Sequence, residues 1–297
     1  MNEKLMTCPL CGGKETTLFL DGLDYFFTGQ SFQIVTCLAC GFRYTNPRPT
    51  EESSAGYYQS DEYISHDTGT NDLMTRIYAL ARHFTVQGKY NLVRKYSPGK
   101  SLLDIGCGTG EFLNYCQNHQ FNCVGVEPSD KARTYAQTNY HLEIREQFLQ
   151  GMHHSERFDC ITLWHVLEHI HQLDATLVKI RTLLKPGGTA IIALPNSNSY
   201  DAGYYRQYWA AYDLPRHLYH FNRFAVTNLA EKHHFTLLEV LPQKLDVYYI
   251  ALLSEKYKGS HLRVFKAFFR GMISNIVARD PKRGYSSQIY ILKPKIS

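Results

Sequence analysis

Long hydrophobic runs are what this chain lacks first. No segment approaches the ~18 consecutive apolar residues that a membrane-spanning helix needs, so a span is not expected. The opening, MNEKLMTCPLC, has no apolar stretch between a basic start and a small-residue cleavage site and does not read as a secretory signal. A reducing cytoplasm is therefore the expected setting. Dense blocks of one charge are missing too: the net charge is +5, the isoelectric point is near 8.6, and the Lys and Arg are scattered. Nucleic acid, whose phosphate backbone selects clustered positive charge, is not the expected partner. Internal repeats and low-complexity tracts are likewise not found. With 44% hydrophobic and 20% charged residues, the composition is that of a folded globular chain, and 297 residues allow one sizeable core plus a small appendage.

The eight cysteines fall into two classes. Cys107, Cys116, Cys123 and Cys160 are scattered through apolar segments and are expected as buried thiols. Cys8-Pro9-Leu10-Cys11 and Cys37-Leu38-Ala39-Cys40-Gly41 are instead paired knuckles with the spacing of a four-thiolate tetrahedral zinc site. Four thiolates leave zinc no open position, so its expected role is structural, replacing the core that so short a segment cannot supply. Between the knuckles, Thr17 to Thr36 is rich in Phe, Tyr and Thr and broken by Asp21-Gly22 and Thr28-Gly29, a β-hairpin pattern. Asn46-Pro47-Arg48-Pro49 is a stiff connector. The reading divides the chain into a ribbon over 1–50, a helical lid or linker over 51–100, and a larger unit over 101–297 with an insertion at about 244–284.

Leu73, Ile77, Leu80 and Phe84 predict an amphipathic helix ahead of the Ser97-Pro98-Gly99 turn. Beyond Ser101, short apolar runs alternate with helical patterns. Strands are predicted at Leu102–Ile105, Val124–Val126, Ile161–Leu163 and Ala190–Leu194, and helices near 111–119, 129–139, 174–184 and 223–233. Phe235–Val240 and Gln288–Leu292 close the series. This rhythm predicts an α/β fold with a Rossmann-like, seven-stranded, mostly parallel sheet covered by helices on both faces, preceded by a small zinc ribbon.

Asp104-Ile105-Gly106-Cys107-Gly108-Thr109-Gly110 sets three alternate glycines between a buried strand and a helix, so that a cofactor can approach the backbone. A phosphate-cradling loop would end in Gly-Lys-Ser/Thr, and a dinucleotide fingerprint has a different glycine spacing. Val124-Gly125-Val126-Glu127-Pro128 supplies an acid at the end of the next strand, where a carboxylate can grip a ribose diol. With Phe158-Asp159 and Leu184-Lys185-Pro186-Gly187-Gly188 in order downstream, the segment from about Ser101 onward resembles the class I S-adenosylmethionine-dependent methyltransferases. That resemblance implies that Gly106–Gly110 holds the methionine end of the cofactor, that Glu127 binds the ribose hydroxyls, and that Gln147 and Phe148 lie near adenine.

Methyl transfer is an in-line displacement at a sulfonium, and a hydroxyl or acidic carbon acceptor also needs a base. Trp164-His165-Val166-Leu167-Glu168-His169-Ile170-His171 follows the fourth strand at its carboxyl end, where ligands bind in such sheets. His169 is a candidate base with Glu168 orienting it, and His165 is expected to border the cofactor. His165 and His169 with Glu168 are also a candidate metal set. The Val-Leu-Glu-His pattern resembles that of ubiquinone-type O-methyltransferases and sugar C-methyltransferases, which implies a catalytic Glu-His pair and a small-molecule methyl acceptor. Trp209 to Phe221 reads as a substrate wall, with His217 or His220 as alternative bases, and Tyr57, Tyr58, Tyr63 and His66 as a lid.

An N-terminal zinc module on such a domain resembles the sugar C-methyltransferases of deoxysugar pathways. Two further readings remain open: an enzyme that modifies RNA or protein presented by the ribbon, and a noncatalytic zinc-binding interaction protein. Near the C-terminus, Leu262, Phe265, Phe269, Met272 and Ile276 form an apolar stripe at helical spacing opposed by Arg263, Lys266 and Arg270. Such a helix is expected to make peripheral membrane contact, to line a hydrophobic tunnel, or to pack on the domain or a partner subunit.

Overall fold

Two Cys-x-x-Cys knuckles frame the first sheet in the structure, a computed structural model that describes residues 1–58, 73–153, 155–280 and 282–295. The lid expectation for Tyr63 and His66 lies outside the described residues, as do the side chains of Leu73, Ile77 and Leu80. In the ribbon, β1 (Asn2–Glu3) pairs with β5 (Arg48–Pro49), and β2 (Thr16–Leu23), β3 (Ser31–Cys37) and β4 (Arg43–Thr45) form a meander. Asp24 organises the hairpin turn, its carboxylate accepting from the N–H groups of Phe26, Phe27 and Thr28. Asp21-Gly22 is not a break, as the sequence pattern suggested, but lies inside β2 opposite Gln33 and Phe32.

After the short α1 (Glu51–Ser54), the expected amphipathic helix runs as α2 (Leu73–Tyr96) and stops before the Pro98-Gly99 turn. The strand–helix alternation then follows: β6 (Ser101–Ile105), α3 (Glu111–Asn118), β7 (Asn122–Val126), α4 (Asp130–Tyr140), β8 (Glu143–Arg145), α5 (Phe148–Gly151), β9 (Phe158–Trp164), α6 (Leu173–Leu183) and β10 (Leu184–Pro195). Ser129 caps α4, its hydroxyl accepting from the Ala132 N–H and satisfying one of the donors a helix start leaves open. The chain continues through α7 (Tyr200–Tyr205), β11 (Tyr219–His220), α8 (Arg223–Lys232) and β12 (Phe235–Pro242). It ends in α9 (Asp246–Tyr257), α10 (Arg263–Val277) and β13 (Ser287–Pro294). The large sheet has seven strands in the order β12-β13-β10-β9-β6-β7-β8, with β13 antiparallel to both neighbours and the five central and edge strands from β10 to β8 parallel. Crossing from β9 to β6 places the carboxyl ends of both at one crevice, where ligands bind in such sheets.

Helices cover both faces, so Leu102, Leu103, Ile161, Leu163 and Ile191 have no exposed surface, and each is worth about 1.5–3 kcal/mol of burial. Of the scattered cysteines, Cys116 and Cys160 are buried and Cys107 and Cys123 half-buried, and burial pushes the Cys123 thiol up to about 12. The ribbon belongs to the same core. β11 adds to the ribbon sheet beside β4, the Thr45 N–H donates to the Leu218 carbonyl, and Phe42 and Tyr44 are buried against Tyr219 and Phe221.

The 244–284 insertion forms α9 and α10, packed antiparallel. The face that α10 turns inward carries Ala267, Gly271, Ser274 and Ala278, all buried, and a Cβ on Gly271 would stand 2.6 Å from Tyr248 Cδ1. Small residues thus let the two helices close together, and the predicted stripe of Phe265, Phe269, Met272 and Ile276 faces outward. The expected packing of that stripe on the domain is not what the fold shows, because the inward seam is built from residues too small to register as apolar periodicity.

Candidate functional site

The glycine loop leaves β6 with Gly106 at φ +73°, Gly108 at φ +55° and Gly110 at φ +80°. Its first turn is held by Gly106 and Cys107 N–H groups donating to the Val126 carbonyl at 2.7 and 3.1 Å. A side chain on Gly106 would collide with Val166, so the turn after β9 sits directly against the loop. Gly108 differs: a Cβ there meets nothing within 4 Å among the described residues, which leaves an open cradle over its backbone. Glu127, at the end of β7, spans the cradle's rim. Its Oε2 accepts from the Gly108 N–H at 2.8 Å and its Oε1 from the Ser129 N–H at 2.9 Å, while burial raises its pKa. Arg133 fixes this turn by donating to the Glu127 and Pro128 carbonyls.

Asp104 is buried beneath the loop and accepts from the Thr162 hydroxyl at 2.6 Å. Burial pushes its carboxyl up to about 7, against that hydrogen bond and the charge of Lys89. Cys107 packs half-buried in the core below. Gln147 is exposed at the start of α5 and Phe148 is half-buried against the core, both just beyond β8 on the same sheet edge. These groups fit an S-adenosyl cofactor: an open cradle over a glycine backbone, with a half-buried carboxylate at its rim that already accepts two N–H donors.

The second half of the site is the turn after β9. His165 holds the left-handed φ of +59°, a strained conformation for a side chain that sites of chemistry retain. Its Nε2 lies 3.0 Å from Asp246 Oδ2 and its Nδ1 3.6 Å from Glu168 Oε1. Burial opposes charge on this ring, but the two carboxylates outweigh it and push His165 up to about 10, so it stands as an imidazolium at neutral pH. Glu168 is fully buried, and among the described residues neither of its oxygens has a hydrogen-bond donor. Burial alone would raise it, yet His165, His217 and His169 around it hold it below the usual carboxylate range. Trp164 Nε1 is also buried, without a partner among the described residues, and Lys89 Nζ lies 4.8 Å from the Trp164 ring centroid.

His169 faces His217 with ring centroids 4.5 Å apart. Its Nδ1 lies 3.0 Å from both the Arg216 carbonyl and the Tyr58 hydroxyl; because the carbonyl only accepts, Nδ1 carries the proton and Nε2 keeps its lone pair. Burial, then the nearby His217, pushes His169 down to about 4, which makes it neutral under physiological conditions. His217 donates from Nδ1 to the Ala211 carbonyl at 2.9 Å and turns Nε2 toward Glu168 Oε1 at 3.9 Å. Behind them, Arg216 is locked by Asp213 and by Asp24 of the ribbon turn at 2.7 and 3.0 Å. The Leu218 N–H donates to the Glu168 carbonyl, so β11 and the ribbon brace the turn that carries the acid.

The structure thus brings together Glu168, His169 and His217, whose ligand atoms lie within 4.8 Å of one another. It corrects the metal set read from the sequence, because His165 points to Asp246 instead. His220 is not part of this group: its Nε2 bonds Thr45 Oγ1 and its ring packs on Tyr212. Tyr58 reaches the site, whereas Tyr57 bonds Gln30 of the ribbon. Asp246 and Asp24 had no signal in the sequence, being single acids at a helix start and a hairpin turn. At the other end of the ribbon, Cys8, Cys11, Cys37 and Cys40 bring their sulfurs within 4.8 Å of one another, with Cys8–Cys40 at 3.7 Å and Cys11–Cys37 at 3.6 Å.

Comparison with known proteins agrees with this geometry. Residues 78–240, more than half of the chain, match the methyltransferase domain family. The ubiquinone biosynthesis O-methyltransferase of Rhodopseudomonas palustris (strain BisB18) is 28% identical over 160 residues, 50% of this chain and 62% of that protein. That of Bradyrhizobium sp. (strain ORS 278) is 31% identical over 105 residues, 34% and 42% of the two. The chain spans about half the length of the curated relatives it matches. Among solved structures, magnesium protoporphyrin IX methyltransferase from Synechocystis PCC 6803 with bound SAH superposes with a TM-score of 0.53 at 13% identity, over 81% of this chain and 97% of that one. By its sequence match and its strand order, the chain belongs to the methyltransferase domain family and has the Rossmann-like fold of the class I S-adenosylmethionine-dependent enzymes.

Proposed function

We propose that the protein methylates a hydroxyl of a small molecule in the cytoplasm, with His169 as the general base. The observation that carries this reading is a half-buried His169 whose Nδ1 is engaged by the Arg216 carbonyl, beside the buried Glu168, on a turn packed against the glycine loop through Val166 and Gly106. S-Adenosylmethionine bound there would supply an electrophilic methyl group on a sulfonium. Asp104, the Gly106–Gly110 loop, Glu127, Pro128, Gln147, Phe148 and His165 are the residues that would hold it. His169 Nε2 accepts the acceptor's proton, and Glu168 offsets the imidazolium that forms. His217 and Tyr58 keep the ring oriented. The likeness to O-methyltransferases of ubiquinone biosynthesis supports oxygen over carbon as the acceptor atom.

One observation favours a second reading. Among the described residues both Glu168 oxygens lack a donor, so Glu168, His169 and His217 offer a divalent cation three ligands that would take the acceptor oxygen. We also infer that the four ribbon cysteines hold one structural zinc. Zn–S bonds of ~2.3 Å put the sulfurs of a tetrahedral site ~3.8 Å apart, close to the 3.6 and 3.7 Å separations here. A His169→Ala variant tests the base assignment: it is expected to bind S-adenosylmethionine as the wild type does while turnover on a catechol-type acceptor falls about 10²–10⁴-fold. Unchanged turnover would remove His169 as base, and wild-type turnover that is lost on chelation and restored by magnesium, with zinc retained, would favour the cation.

A further inference from the structure

α10 shows large side chains to solvent on the side where a globular helix carries polar ones. Phe265 is 64% exposed, Phe269 45%, Met272 39% and Ile276 59%, with Phe268 and Ile273 beside them. This contiguous face lies opposite the buried Ala267, Gly271, Ser274 and Ala278 seam, so no rotation of the helix can hide it without breaking that seam. The face is also ordered. Phe265 and Phe269 pack at 4.7 Å between centroids, Phe268 and Phe269 at 5.8 Å, and Phe268 stacks on Tyr248 of α9 at 5.8 Å.

The chain around it is mostly basic. Between Lys256 and Arg283 the chain has eight Lys and Arg against one acid, Asp280. Arg263 and Lys266 are exposed, and on the helix wheel they and Arg270 flank the apolar face. Arg270 places its guanidinium carbon 3.9 Å from the Tyr204 ring centroid, which holds its charge near that flank. We propose that this face docks the protein on an anionic lipid bilayer, the phenyl rings and Ile276 entering the boundary of headgroups and acyl chains while the basic side chains meet phosphate. A second copy of the chain is the poorer occupant, because apposing two such faces would bring like charge against like charge.

Docking would hold the cleft near the bilayer. α9 starts at Asp246, which pairs with His165, and α10 is tied by Ser274 Oγ to the buried Asp201 at 2.9 Å. The inference stands on the surface alone and does not depend on the methyl acceptor.

The test is co-sedimentation of the full chain with vesicles of phosphatidylcholine and phosphatidylglycerol, against phosphatidylcholine alone, at low and high salt. The wild type is expected to bind the mixed vesicles at least about tenfold more tightly, with the difference lost at high salt. A Phe265→Ser/Phe269→Ser/Ile276→Ser variant should lose about tenfold or more on both lipids. An Arg263→Glu/Lys266→Glu variant, whose sites are exposed and outside the helix seam, should lose its preference for the anionic vesicles. Vesicle binding that is absent in the wild type, or unchanged in both variants, would overturn the proposal. So would a concentration-dependent dimer, removed by the apolar variant, in a protein that ignores vesicles.

Discussion

Asp201 carries the sharpest test of how the site is held. Its carboxylate is 1% exposed and accepts from Trp209 Nε1 at 2.7 Å, Ser286 Oγ at 2.5 Å and Ser274 Oγ at 2.9 Å. One side chain thus ties α7, the wall segment after it, α10 and the entry to β13. Asp201→Ala removes the acceptor and strands three buried donors. A buried donor without a partner costs about 1–3 kcal/mol, but the two serine hydroxyls can rotate to other acceptors while the indole N–H cannot. The expected loss is about 3–5 kcal/mol, a third or more of a typical domain's stability. Asp201→Asn keeps the shape. Its carbonyl can still take Trp209 and Ser286, and its amide can donate to the Ser274 hydroxyl, so it should lose only about 1–2 kcal/mol, the charge-assisted part of the bonds. Urea unfolding followed by tryptophan fluorescence reads both variants, since Trp209 sits on the carboxylate. An alanine variant within 1 kcal/mol of wild type, or an asparagine variant as damaged as the alanine one, would refute this account of the buried network.

The charges of the site and the ribbon cysteines set the pH and metal dependence. Because His169 sits near 4 instead of 6.5, the acid limb of kcat/KM should fall near pH 4, and a limb at 6.5 would show that a different group is the base. The same shift makes the unfolded chain take up the proton first, so about 3 kcal/mol of stability present above pH 6.5 is lost as pH falls from 6.5 through 4. His165 acts in the opposite window: its folded value of about 10 gives stability that is complete below 6.5 and lost as pH rises through 10. Removing zinc, or Cys37→Ser, should unfold the ribbon, expose Phe42 and Tyr44, and lower the unfolding temperature, with metal analysis reading about one zinc per chain beforehand. Unchanged stability in the metal-free protein would refute the structural role.

The parallel strands were legible because helices bury both of their faces. Ala190–Leu194 reads as an unbroken apolar run and Leu102–Ile105 as one interrupted only by Asp104, and each is followed or preceded by a glycine stop. β8 was not legible, since only Ile144 of its three residues is buried. β11 is a two-residue strand whose partner, β4, lies far away in the chain, so the union of ribbon and catalytic turn left no local pattern. Glu168 and His169 stood out as chemistry at a strand end, and the pairing of His169 with His217 came from β11 docking beside the turn. The direction of α10 was hidden for a different reason: periodicity finds an apolar face but cannot say that a stripe of alanine, glycine and serine is the side that packs.

The central claim is that the crevice between β6 and β9 binds S-adenosylmethionine through the glycine loop and Glu127. Calorimetric titration of the wild type and Glu127→Ala with S-adenosylmethionine and its demethylated product tests it most directly. The account expects both ligands to bind one site per chain, and about tenfold or greater weakening in the variant, as loss of a charged hydrogen-bond acceptor for a ribose diol implies. No binding to well-folded, zinc-loaded wild type, or equal binding by wild type and Glu127→Ala, would contradict it.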